Sequence, residues 1–236
     1  MRPLTDHTPK PLLVAGGKPL IVWHIEKLAQ AGMRELIINH AHLGQQIETV
    51  LGDGKKWGVQ IKYSPENPAL ETAGGIAQAL PLLGDAPFVV INGDIFCDYD
   101  FANLPTHAAH IEKNNLAAHL VLVNNPEHHP SGDFGLYDDH VTQTPPDLPL
   151  SGEEGHNPPL IRGARGVEAF TFSGIGVYQP TLFAKITRGS KAQLAPLLRE
   201  QIVQNNISGE HHAGFWIDVG TPQRLQQLDD FLLKIN

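Results

Sequence analysis

Apolar positions alternate along the first half of the chain between short runs and helical stripes. In residues 19–31 (PLIVWHIEKLAQA) Leu20, Trp23, His24, Leu28 and Ala31 recur at helical spacing, and Gly32 closes the segment. ELIINH at 35–40 then reads as a short buried strand, 43–51 as a helix and 59–63 as a strand. A helix over 74–82, the apolar strand 88–91, a helix near 101–113 and a strand at 117–123 continue the series. This strand–helix–strand rhythm predicts an α/β fold: a Rossmann-like three-layer α/β/α arrangement with a mostly parallel, mixed sheet.

The second half is less regular. Residues 144–166 are rich in Pro, Gly and Asp with few apolar positions, and are expected to form a long surface excursion. Beyond it, 169–177 (AFTFSGIGV) reads as a strand, 194–205 as a helix and 222–233 as a closing amphipathic helix. No internal repeat interrupts the pattern, and 236 residues suit a single domain, 1–236.

Composition narrows the function classes. A net charge of -8 with no Lys/Arg cluster argues against a nucleic-acid groove, whereas a small anionic substrate needs only one or two placed cations. No apolar run approaches the roughly 20 residues of a membrane span. The single cysteine, Cys97, excludes an internal disulfide framework, and with no secretory leader in view a cytoplasmic setting is expected. The thirteen histidines include the adjacent pairs His128–His129 and His211–His212. Neighbours on a strand point to opposite faces, so these pairs predict no zinc site.

In α/β sheets ligands bind beyond the carboxyl ends of strands, which directs attention to three loops. Asp94 follows the strand 88–91 in the sequence ING-Asp94, and Asp218 ends the short apolar stretch Phe215-Trp216-Ile217. Each carboxylate either caps a turn before or after glycine, or shares one Mg2+ with the other, a hard cation suited to bridging phosphates. Thr221-Pro222 then opens the last helix as a cap followed by an N1 proline. Segment 64–75 (SPENPALETAGG) joins a strand to a helix; its small residues admit a planar base and its first N–H groups favour an anion, or Thr72 simply caps the helix. Lys10 lies among Pro3, Pro9 and Pro11, which stiffen an extended path; it is either a solvated charge or aimed inward.

Taken together, RPLTDHTPKPLL, SPE with LETAGG, INGD and WIDVGT, in this order, resemble the sugar-1-phosphate nucleotidyltransferases. The resemblance implies a magnesium-dependent enzyme using UTP and a sugar-1-phosphate: N-acetylmuramate-1-phosphate on the closest pattern, or else mannose- or glucose-1-phosphate. A non-catalytic sugar-phosphate-binding relative is the other alternative. It assigns Lys10 to a phosphate contact, Arg2 to the leaving pyrophosphate, Asp94 and Asp218 to Mg2+, and Glu71, Thr72 and Asn92 to the nucleotide. Gly135, within Gly132-Asp133-Phe134-Gly135, falls at a glycine whose N–H approaches the sugar, and Phe172 stands where several members have asparagine. Members also carry a strand and a glycine-rich loop of the type LAAGxGxRM before the RPLT segment, and here the chain opens at that methionine. No protein nucleophile is implied, because the attacking phosphate is already anionic.

Overall fold

The computed structural model describes residues 1–143 and 168–235. The excursion expected at 144–166 therefore lies outside the described residues. The chain opens with a small hairpin, β1 (Val14–Ala15) and β2 (Lys18–Pro19), followed by α1 (Leu20–Gln30), β3 (Glu35–His40), α2 (Gly44–Leu51) and β4 (Gln60–Pro65). Next come α3 (Glu71–Leu83), β5 (Phe88–Ile91), β6 (Ile95–Cys97), α4 (Leu104–Asn114) and β7 (Ala118–Val123). The hairpin β8 (Phe134–Tyr137) and β9 (His140–Thr142) precedes the long strand β10 (Glu168–Tyr178). The chain then runs through α5 (Leu194–Val203), β11 (Ile207–His212), β12 (Trp216–Asp218) and α6 (Pro222–Ile235).

The principal sheet has the order β5-β10-β7-β11-β9-β8, with β8 also pairing β10. Smaller two-stranded sheets join β3 to β4 and β12 to β6. The expected α/β/α layering is present, but the balance of strand directions differs from the mostly parallel expectation. Among the described residues only β7–β11 and β3–β4 run parallel; the other ladders are antiparallel. The cause is β10, which passes antiparallel between β5 and β7 and so needs no helical crossover to either.

Alternation along β7 divides the core. Leu120 and Leu122 pack with Ala73, Ile76, Leu194 and Leu198 beneath α3 and α5, whereas Val121 packs with Leu104 and Ile111 of α4. A third cluster sets Ile21, Val22 and Ile25 of α1 against Ile47, Leu51 and Ile61, and a fourth gathers Leu13, Ala15, Phe96, Val219, Leu228 and Leu232 around α6. Among the described residues no helix is long and apolar enough to cross a membrane.

Candidate active site

The α6 terminus forms as its sequence predicts. Thr221 Oγ1 accepts the Arg224 N–H at 3.2 Å, and Pro222 occupies the first helical position, where no hydrogen bond is lost. This cap fixes the segment immediately after Asp218. On the other side, β12 pairs antiparallel with β6 so that Asp218 stands opposite Ile95, and Val219 donates its N–H to the Asp94 carbonyl at 2.8 Å. Two carboxylates distant in sequence thus end on adjacent rungs.

Lys10 is aimed inward. Its Nζ lies 2.8 Å from Asp94 Oδ2, and it is carried by a 3₁₀ turn over Lys10–Leu12 that opens on Pro9. Asp218 Oδ2 meets Arg224 at 3.0 Å, and Oδ1 lies 3.0 Å from His128 Nε2. That second oxygen is buried and, His128 apart, has no polar partner that satisfies it by a hydrogen bond, which leaves acceptor capacity for a cation. The oxygen-rich pair Asp94 and Asp218 therefore fits a hard divalent ion. Arg2 stands apart: its side chain is 89% exposed and pairs with Asp6 at 3.3 Å.

The Asp94 loop is held from behind by α1. Buried His24 uses Nε2 to donate to the Ile95 carbonyl at 2.9 Å, and burial pulls its pKa down to about 4. Lys27 donates to the carbonyls of Cys97 and Tyr99 at 2.8 and 2.7 Å, and its own pKa is lowered by burial. Cys97 is a core residue, as expected, with its thiol pushed up to about 11 by burial.

Beside this group lies a cavity of about 280 Å³ lined by Glu71, Thr72, Asn92, Asp133, Phe134, Phe172, Gln193, Leu194, Ala195, Leu198 and Arg199. Three sequence-predicted residues, Glu71, Thr72 and Asn92, are thereby brought together, with Asn92 two residues before Asp94. Glu71 adopts φ 64°, an uncommon backbone conformation for a side-chain-bearing residue and one that recurs at functional sites. Thr72 is not the helix cap: Leu70 holds that position without a side-chain bond, and Glu66 Oε2 accepts the Leu70 N–H at 2.8 Å. The N–H groups of Ala73 and Gly74 both donate to the Ala192 carbonyl, so they do not face an anion as the helix start suggested.

Asn92 is positioned by a bulge in β10. The register of β10 against β7 shifts between Phe172 and Ile175, and Gly174 in the bulge accepts the Asn92 N–H at 2.9 Å. Gly174 has φ 83°, and a Cβ there would meet Asn92 Nδ2 at 2.8 Å, so glycine is required twice over. The same bulge presents the Ser173 carbonyl to Trp216 Nε1 at 2.8 Å, linking the cavity wall to β12.

Gly135 is buried in β8 and does not line the cavity; its neighbours Asp133 and Phe134 do. Asp133 is fixed by the Phe172 N–H at 2.9 Å and by His129 at 3.1 Å. Sequence reasoning assigned no role to Asp133, although it lies in the segment quoted for Gly135, and missed Gln193 and Arg199, which come from the start of α5 and from α5, where no motif was read. His128 and Arg224 at Asp218 were also missed. The helix start at Thr221-Pro222 was a usable signal for Arg224, three positions after the cap.

The profile of the family described as nucleotidyl transferase matches residues 1–144. N-acetylmuramate alpha-1-phosphate uridylyltransferase of Neisseria meningitidis serogroup B is 52% identical over 229 residues, covering 96% of this chain and 90% of that protein. The catalytic subunit beta of mannose-1-phosphate guanylyltransferase from Drosophila melanogaster is 28% identical over 228 residues, and the match spans 57% of its length. Among solved structures, a putative glucose-1-phosphate thymidylyltransferase from Bacillus anthracis in complex with a sucrose superimposes with a TM-score of 0.79 at 20% identity, covering 100% of this chain and 91% of that one.

Proposed function

Because this chain belongs to the nucleotidyl transferase family, we propose that it joins UTP and N-acetylmuramate-1-phosphate to give UDP-N-acetylmuramate and pyrophosphate, in the cytoplasm and as a step of cell-wall recycling. The observation that carries the reading is the grouping of Lys10, Asp94 and Asp218 beside a cavity of about 280 Å³. The identity with the Neisseria uridylyltransferase supports the choice of base and sugar.

The reaction is an in-line displacement. An oxygen of the sugar phosphate forms a bond to the α-phosphorus of UTP while the bond to the pyrophosphate oxygen breaks. The nucleophile is an anion already, so the protein has no proton to remove; its task is to hold two mutually repelling anions in line. Lys10 exchanges part of its contact with Asp94 for phosphate oxygen and offsets the charge gathering there. Arg2 exchanges Asp6 for the departing pyrophosphate. Asp94 and Asp218 would hold Mg2+, which supplies Lewis-acid neutralisation of phosphate charge when bound. Glu71, Thr72 and Asn92 orient the nucleotide; the sugar contact expected of the Gly135 N–H passes to Asp133 and Phe134 just before it, which line the cavity.

N-acetylmuramate differs from the simpler amino sugars by a lactyl carboxylate. Among the described residues Arg199 is the one cation on the cavity wall, and it supplies the charge-assisted partner that this carboxylate calls for. The test is pyrophosphate release from UTP and N-acetylmuramate-1-phosphate with Mg2+, set beside GTP and mannose-1-phosphate, and beside dTTP or UTP and glucose-1-phosphate. Turnover confined to the first pair is expected. Faster turnover with another pair would overturn the substrate assignment, and none with any pair would overturn the reaction.

A further inference from the structure

α6 opens against a local rule. The N-terminus of a helix carries partial positive charge, which favours acidic side chains in the first turn and disfavours cations. The first turn of α6 holds no acid, and Arg224 stands in it, donating its backbone N–H to the Thr221 cap. What draws the guanidinium there is Asp218: Arg224 Nη2 lies 3.0 Å from Asp218 Oδ2, with 19% of the arginine side chain and 30% of the aspartate exposed. Gly220 makes the approach possible, because a Cβ at that position would collide with Nη2. Charge dominates the attachment, since Arg224 Nε is buried with no hydrogen-bond partner.

Lys10 repeats the arrangement on the other carboxylate. Its Nζ lies 2.8 Å from Asp94 Oδ2, and its side chain is 29% exposed. Each aspartate therefore has a resident cation, one from the turn Lys10–Leu12 and one from the first turn of α6, and the formal charges of the four groups cancel. Two bare carboxylates would attract a free divalent ion strongly. Two that are already paired attract it little, because the ion must approach the ammonium and the guanidinium as well. A nucleotide alters this: its phosphates bring negative charge and acceptor oxygens for both cations, so the carboxylates are freed as the ion arrives.

We propose that Arg224 is a positioning residue of the reaction: it holds Asp218 in the empty protein and, together with Lys10 on Asp94, makes the carboxylate pair a poor site for a free divalent ion and a good one for an ion that comes with a nucleoside triphosphate. The inference rests on the functional reading above, in which Asp94 and Asp218 hold the ion. It adds a residue and an order of events to that reading. Arg224 acts through Asp218, and the charge it carries, more than the shape of its fork, is what the device uses.

Two affinities test this, both measured on the full-length chain without sugar phosphate, at about pH 8, above the ordinary range of histidine. Mn2+ alone is titrated in and the free ion counted by electron paramagnetic resonance; UTP binding in excess Mg2+ is followed by calorimetry. In the wild type Mn2+ alone should bind weakly and much more tightly once UTP is present. Arg224→Met should move the two affinities in opposite directions: Mn2+ alone at least about fivefold tighter, and UTP with Mg2+ at least about fivefold weaker, as removal of one nearby positive charge requires. A role in folding alone would lower both or neither. Arg224→Lys, which keeps the charge, should return both values toward the wild type, and Arg224→Gln serves as the second variant should methionine fail to fold. Affinities that stay unchanged or move together, in a folded variant that still binds UTP with Mg2+, would overturn the inference and leave the functional reading standing. So would a wild-type chain that binds Mn2+ as tightly without UTP as with it. A wild-type chain that binds no UTP with Mg2+ would overturn the functional reading, and this inference with it.

Discussion

The backbone N–H of Val219 donates to the carbonyl of Asp94 at 2.8 Å, across 125 residues of sequence. That single bond sets Asp218 beside Asp94 and makes one site of two strand ends. It also makes the chemistry of the site testable by changes that leave the bond intact, because side-chain substitutions at both aspartates do not touch it.

Asp94→Asn keeps the backbone and the shape of the side chain but removes half of the anionic pair. Pyrophosphate release should fall by about a hundredfold or more, in line with the several kcal/mol a bound metal supplies to phosphate charge, and activity should no longer respond to Mg2+. Asp94 is 41% exposed, so the melting temperature should change little. Undiminished Mg2+-dependent turnover would remove Asp94 from the site.

Lys10→Ala separates substrate binding from folding. The ion pair with Asp94 is partly exposed, and pairs of that kind contribute about 1 kcal/mol or less to stability. For a chain of this size the melting shift should stay within about 4 °C. Turnover at low UTP should drop much further, read as a rise in KM for UTP or a loss of kcat/KM.

Arg199→Met tests the sugar. Loss of a hydrogen bond to a charged group, about 1.5–3 kcal/mol, should lower kcat/KM for N-acetylmuramate-1-phosphate by roughly tenfold to a hundredfold. N-acetylglucosamine-1-phosphate, which has no lactyl carboxylate, should be used equally well by both proteins. Equal losses on the two substrates would assign Arg199 to the phosphate instead.

His24 imposes a pH dependence on folding. Burial holds it at about 4 in the folded chain against an ordinary 6.5, so the unfolded chain binds the extra proton between those values. Its contribution is fully present above 6.5 and is lost as pH falls toward 4, by as much as about 3 kcal/mol. Urea denaturation at pH 4.5 and 6.5 should give a slope shallower by about one proton in His24→Gln than in the wild type. Identical slopes would mean that His24 charges freely in the folded state.

Gly174→Ala should lower both stability and activity, since the alanine would have to hold φ 83° and press its Cβ against Asn92. A destabilisation of about 1 kcal/mol or more is expected by thermal melting. An unaltered melting curve would show that the bulge can relax around a side chain.

Local pattern was enough to locate most elements. The strands 35–40 and 88–91 were readable to the residue because each is a short apolar run between breakers, and Thr221-Pro222 marked the start of α6. β11 was not readable: ISGEHH has no apolar alternation, because two of its residues, Ser208 and Glu210, meet the histidines of α4 and β7 rather than a hydrocarbon core. The direction of β10 was equally hidden, since an apolar run looks alike in parallel and antiparallel neighbours.

By itself the sequence singled out Asp94, Asp218 and Lys10 as candidates, through their places at strand ends or beside prolines and through the resemblance to the sugar-1-phosphate nucleotidyltransferases. Only the tertiary structure decided what those residues meet. Lys10 found Asp94, Asp218 found His128 and Arg224, and Arg199 reached the cavity from a helix with no motif. The same holds for His107, His119 and Glu210, whose encounter depends on the register of β11 against β7 and on the seating of α4. Local preference is written residue by residue, whereas contacts between distant segments follow from how the faces of the sheet are covered, and no window of sequence contains that information.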